Sequence, residues 1–248
     1  GAATLTATVS NSCGAGSTSK GRSVWFGSDP SRNWPMFMHD PQHTSLSGFV
    51  DTTTTETLTT PSGWGPVSVP TAQEDYLDLP LYDSSPAVWS GKVIVGAWNS
   101  SSNGAVLAYS ATTGQQVWDT SSTAAPTAMG GVASSPAVYP GKVYVGSADG
   151  NVYCFAFDDG TLIWSAAAYE STPAPIYSSP VVYGDTVYIA SSACAVYAFD
   201  ANTGARVWSQ PVYLSAVAGS YSCVSSPCIA QTTGGDYLLV GCSDAADQ

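Results

Sequence analysis

A block beginning Ser-Ser-Pro recurs at Ser84 (SSPAVWSGKVIVG), Ser134 (SSPAVYPGKVYVG), Ser178 (SSPVVYGDTVYIA) and Ser225 (SSPCIAQTTGGDYLLVG), at spacings of 50, 44 and 47 residues. A period in this range marks repeated supersecondary units. The first three copies continue through a second apolar alternation, AVLAY, NVYCF or AVYAF, and end on Gly-x-x-x-Trp at Gly114/Trp118, Gly160/Trp164 and Gly204/Trp208. Short β-branched and aromatic runs bounded by turn residues, as at Asp149-Gly150 and Asp158-Asp159-Gly160, signal antiparallel hairpins. No apolar stripe at helical period is sustained beyond residue 84. The fold class expected is therefore all-β, a β-propeller of four-stranded antiparallel blades. Its units are placed at 84–122, 134–168 and 178–212, with a partial one at 225–248.

The chain has 248 residues, and eighteen acidic groups against six basic ones give it a net charge of −12. Such a charge repels phosphate backbones and argues against nucleic-acid partners. No apolar run is long enough to span a bilayer as a helix. Only 10% of residues are charged. That balance, with abundant Ser, Thr, Gly and Ala, suits a secreted, extracellular, periplasmic or cell-surface protein, and the start at Gly1-Ala2-Ala3 suits a chain whose export signal has been removed. Asn99-Ser100-Ser101 is an N-glycosylation acceptor triplet in a loop.

The cysteines divide by repeat position. Cys154, Cys228 and Cys242 replace small residues of the sister units and read as small core residues. Cys194 instead replaces Gly104 and Gly150 in a second-to-third-strand turn, and Cys223 lies two residues before a Ser-Ser-Pro. Two strand reversals bring those sites to the same ring face, so a Cys194–Cys223 disulfide is expected in an exported chain. It would close a loop of about 30 residues, worth about 3 kcal/mol.

Ahead of the repeats lie an exposed N-terminal segment (1–27) and a segment (28–83) containing NWPMFMHDPQHTSLSG and a Thr-rich tract. The motif Trp34-Pro35-Met36-Phe37 with His39-Asp40-Pro41-Gln42-His43-Thr44, followed by the Ser-Ser-Pro and Gly-x-x-x-Trp units, resembles the pyrroloquinoline-quinone-like propeller repeat family of quinoprotein alcohol dehydrogenases and outer-membrane-assembly propellers. The resemblance covers residues 33–248 and implies a ring of about seven or eight blades, of which this chain holds about half. It also implies an outer closing strand near Thr55 to Val69. The remaining blades are expected either from a longer chain or from a second chain.

Catalytic signals are weak. His39 and His43 flank Pro41 and read as structural, and the Asp-rich tips read as turns before they read as calcium ligands. Quinoprotein enzymes of the resembled family hold a quinone beside a vicinal disulfide and an aspartate base. This sequence has no adjacent cysteines and no residue matched to that base. No cofactor, metal or catalytic residue is expected. The long inter-blade loops share a face with the second-to-third-strand turns, and Asn99, Tyr169, Tyr213 and Tyr221 mark it as the binding face. The function expected is a non-catalytic scaffold that binds protein or glycan. The alternative is the N-terminal half of a quinone-dependent alcohol-type oxidoreductase.

Overall fold

The computed structural model describes residues 4–6, 23–25, 84–99, 103–120, 129–214, 221–222 and 225–244. The expected closing strand near 55–69, both histidines and Cys223 lie outside the described residues. A short antiparallel pair joins β1 (Thr4–Thr6) to β2 (Ser23–Trp25).

Three four-stranded antiparallel sheets follow, each meandering in sequence order. The first holds β3 (Ala87–Trp89), β4 (Lys92–Asn99), β5 (Asn103–Ser110) and β6 (Gln116–Asp119). The second holds β7 (Ala137–Tyr139), β8 (Lys142–Gly146), β9 (Asn151–Ala156) and β10 (Leu162–Ala167). The third holds β11 (Val181–Tyr183), β12 (Thr186–Ser191), β13 (Ala195–Asp200) and β14 (Val212–Tyr213). Beyond them β15 (Tyr221–Ser222) pairs with β18 (Ser243–Asp244), and β16 (Cys228–Thr232) pairs with β17 (Gly235–Leu239) as the first two strands of a fourth unit. These are propeller blades, all-β and incomplete as a ring.

Strand alternation makes both faces of each blade apolar. In the second blade Ala137, Tyr144, Val152 and Cys154 face the third, while Val138, Val143, Val145, Tyr153 and Phe155 face the first; all are nearly or fully buried. Stacking blades buries what one blade alone would expose, which is why the repeat and not the single unit is stable.

The Ser-Ser-Pro motif is a two-part fastener. Its first hydroxyl holds the second strand of its own blade: Gly96 N donates to Ser84 Oγ (2.9 Å), Gly146 N to Ser134 Oγ (2.8 Å), Ala190 N to Ser178 Oγ (3.1 Å) and Gly241 N to Ser225 Oγ (3.1 Å). Its second hydroxyl holds the preceding blade. Ser85 N donates to Ser135 Oγ (2.8 Å), Ser135 N to Ser179 Oγ (2.9 Å) and Ser179 N to Ser226 Oγ (2.9 Å). This series runs blade to blade through the innermost strands. Ser179→Ala leaves the buried Ser135 N–H without its acceptor, a loss of about 1–3 kcal/mol to be read by urea denaturation. The same change at exposed Ser85, whose hydroxyl accepts from no described residue, should cost under about 0.5 kcal/mol.

At the rim, each tryptophan seats on the next blade. Trp118 Nε1 donates to Phe157 O (3.0 Å) and Trp164 Nε1 to Ala201 O (3.2 Å). Each indole lies on a glycine of the facing turn, Gly160 or Gly204. The third unit departs from this pattern. Its strand partner for Ala195–Val196 is Val212–Tyr213, while Arg206 makes only an isolated bridge to Phe199. Trp208 therefore falls between the bridge and the strand, half-buried against Tyr188 at 5.6 Å.

Candidate functional site

The connections that follow the first and second blades have fixed inner ends. Val132 N donates to Ala97 O of the first blade while Ala148 N of the second donates to Gly131 O. The next connection repeats this, with Ile176 N donating to Ser147 O and Ser192 N to Pro175 O. A loop bonded to both of its flanking blades presents its outer residues from a rigid base.

Asp149 completes the first of these junctions. Its Oδ2 accepts from Gly130 N and Tyr153 Oη, both at 2.8 Å, and its Oδ1 accepts from Asn151 N and Nδ2. Oδ1 thus closes the turn while Oδ2 ties it to the inter-blade connection and to β9. Asp159 and Asp200 behave alike at the third-to-fourth-strand turns, where hydrogen bonds from Thr161 and Thr203 hold each carboxyl below its usual range. No cluster of three or more His, Cys, Asp or Glu residues suited to a metal occurs among the described residues.

A second group forms where the second and third blades meet. Arg206 pairs with Glu170, donates through Nη2 to the carbonyls of Ala167 (3.1 Å) and Tyr169 (2.9 Å), and lies 5.3 Å from the Tyr197 ring. Burial pushes the Tyr197 phenol up to about 12, aided by Tyr213 and Glu170 and opposed by Arg206. Four elements therefore meet here: the loop after β10, the turn before Trp208, β13 and β14.

Of the residues expected from sequence to mark the face, Tyr169 is half-buried with its ring against Gly150, whereas Tyr213 is 57% exposed on β14. Tyr213 and Tyr169 thus flank the Arg206 group. Asn99 ends β4 opposite Asn103, and Tyr221 sits on β15; the side chains of both lie outside the described residues. Arg206 escaped the sequence reading although it is the only arginine beyond Arg32. So did the stacked pair Trp98 and Tyr177, 6.5 Å apart, with Trp98 lying on Gly131.

Cys194 sits in the β12–β13 turn at φ 56, where the sister blade has Gly150 at φ 86. Leu214 N donates to its carbonyl (2.9 Å) and it is buried beside Trp208 and Leu214. Cys154, Cys194, Cys228 and Cys242 are not bridged to one another. Burial pushes the Cys154 thiol up to about 12. Under native conditions near pH 8 a maleimide should label exposed Cys242 and leave Cys154 unmodified, as mapped by mass spectrometry; rapid native labelling of Cys154 would contradict its burial.

A family profile described as outer membrane protein assembly factor BamB matches residues 70–246. No curated protein matches the chain. Among solved structures, BamB from Moraxella catarrhalis is similar at 20% identity, covering 61% of this chain and 44% of that one with a TM-score of 0.47. The quinohemoprotein alcohol dehydrogenase of Comamonas testosteroni is 20% identical over 73% of this chain and 27% of that one, with a TM-score of 0.49. The quinohemoprotein alcohol dehydrogenase ADHIIG of Pseudomonas putida HK5 is 25% identical over 53% and 21%, with a TM-score of 0.41. The chain spans less than half the length of each of these structures.

Proposed function

The chain belongs to the outer membrane protein assembly factor BamB family of pyrroloquinoline-quinone-like propeller repeats, and from that premise we propose that it is an exported scaffold that binds a protein partner through its inter-blade loops. The carrying observation is the reciprocal backbone bonding that fixes the first two inter-blade connections to both of their flanking blades, with Tyr213 exposed on the same face. A pre-ordered loop with an exposed aromatic loses little conformational freedom on binding. The family's description as an assembly factor supports a protein partner and a cell-envelope location, and the absence of a long apolar helix among the described residues is compatible with both.

Three finer readings belong to this proposal. Cys194 bridges Cys223, a pairing that a non-reduced digest would reveal and that two free thiols would refute. Asn99 carries a glycan if the chain is made in a host that attaches one. A further blade, from the same or another chain, completes the ring at the exposed side of the fourth unit, where Tyr237 and Leu239 are 54% and 52% exposed.

The test is binding of the full chain to purified outer-membrane assembly components and to cell-surface oligosaccharides. Tyr213→Ala should weaken protein binding about tenfold, within the range of an aromatic contact at the centre of an interface, with thermal melting unchanged. Oligosaccharide binding without protein binding would overturn the protein reading in favour of a glycan scaffold.

A further inference from the structure

The opposite face, formed by the tight first-to-second-strand and third-to-fourth-strand turns, carries its own repeated feature. Backbone bonds join the two turns within each blade, from Ala111 N to Gly91 O, Phe157 N to Gly141 O and Ala201 N to Asp185 O. The last residue of each complete innermost strand is aromatic: Trp89, Tyr139 and Tyr183. Because the serine series draws these strands together, the three aromatics follow one another along an arc on one face. Tyr139 is 36% exposed, and Trp89 and Tyr183 are half-buried.

Carboxylates surround this arc. Asp158 and Asp185 are exposed on its turns and Asp236 is exposed on β17, where it accepts from Tyr183 Oη at 2.7 Å, with Asp159 and Asp200 beside them. The only lysines of the blades, Lys92 and Lys142, both lie on this face and are already engaged, by Asp158 at 3.4 Å and by Asn202 at 2.7 Å. The molecule already places a cation on a ring here, since Lys92 Nζ lies 4.3 Å above Phe157. Aromatic faces attract ammonium and guanidinium groups through the ring quadrupole, and neighbouring carboxylates neutralise them.

We propose that the tight-turn face is a second docking surface, for an Arg- or Lys-rich segment of a protein partner. Excess carboxylate excludes acidic ligands, and the aromatic arc gives the long stems of Arg and Lys apolar surface to lie on. This surface is on the opposite side from the inter-blade loops and does not depend on their role.

The test is titration of the full chain with an oligoarginine peptide, followed by tryptophan fluorescence and calorimetry, with oligoglutamate and a neutral oligosaccharide as comparison probes. Oligoarginine alone should bind, and raising the ionic strength from about 0.01 to 0.15 M, which shortens the screening length from about 30 to 8 Å, should weaken it. Tyr139→Ala and Asp185→Asn should each weaken binding about fivefold with melting unchanged, whereas Tyr213→Ala on the other face should have no effect. Oligoarginine affinity equal in wild type, Tyr139→Ala and Asp185→Asn would overturn the proposal by showing diffuse attraction to an acidic chain. Preference for the neutral oligosaccharide, or loss of binding in Tyr213→Ala, would overturn it as well.

Discussion

Trp164→Ala is expected to destabilise the blades by about 3–5 kcal/mol, the usual cost of removing a buried indole, and to lower the melting temperature by about 10 °C at roughly 2–4 °C per kcal/mol. Trp164 is 8% exposed, contacts Tyr144 and Phe199 on either side of the blade interface, and donates to Ala201 O. Tyr144 Oη donates to that same carbonyl at 2.9 Å, and burial raises its phenol pKa. Removing the indole opens a cavity among side chains that the Tyr144 bond holds in place. Trp208→Ala, where the indole is half-buried against Tyr188, should cost about 1–2 kcal/mol. Equal losses at the two sites in chemical denaturation would contradict the seating scheme.

Gly160→Ala is the complementary change and should cost about 3 kcal/mol, the sum of two strains. The residue sits at φ 73, and a Cβ there would meet Trp118 Cε3 at 2.6 Å. Left-handed backbone costs an L-residue about 1–2 kcal/mol, and displacing a seated indole adds a similar strain. Gly141 is also left-handed, at φ 75, but a Cβ there would meet no atom within 4 Å, so Gly141→Ala should show only the backbone cost of about 1–2 kcal/mol. The difference between the two variants in urea midpoint isolates the indole contact. If Gly141→Ala proved the more damaging, the tryptophan seats would not be what aligns the blades.

Periodicity made the architecture readable because each blade's strands are short, β-branched and punctuated by turn residues, and those are local properties. Val143–Tyr144–Val145 and Val152 to Phe155 are strands on composition alone. What the repeat could not display was the second partner of each residue. Ser135 and Ser179 look identical to Ser134 and Ser178 in sequence, yet one hydroxyl of each pair bonds within its blade and the other between blades. The outer strand of the third unit departs from the repeat for a similar reason. Gly204 and Trp208 match their sister positions, but Ser209-Gln210-Pro211 interrupts the run, and the ladder resumes only at Val212. The β15–β18 pair joins segments about twenty residues apart, a separation at which no local pattern specifies pairing. Arg206 became visible as a junction residue only when folding placed Glu170 and two carbonyls around it.

The most direct measurement of whether these blades serve as a scaffold is titration of the full chain with pyrroloquinoline quinone and Ca2+, following tryptophan fluorescence and dye-linked alcohol oxidation together. A scaffold that binds its partner through the inter-blade loops should show no saturable quenching and no turnover. Saturable quinone binding accompanied by alcohol oxidation would contradict that role and establish the oxidoreductase reading.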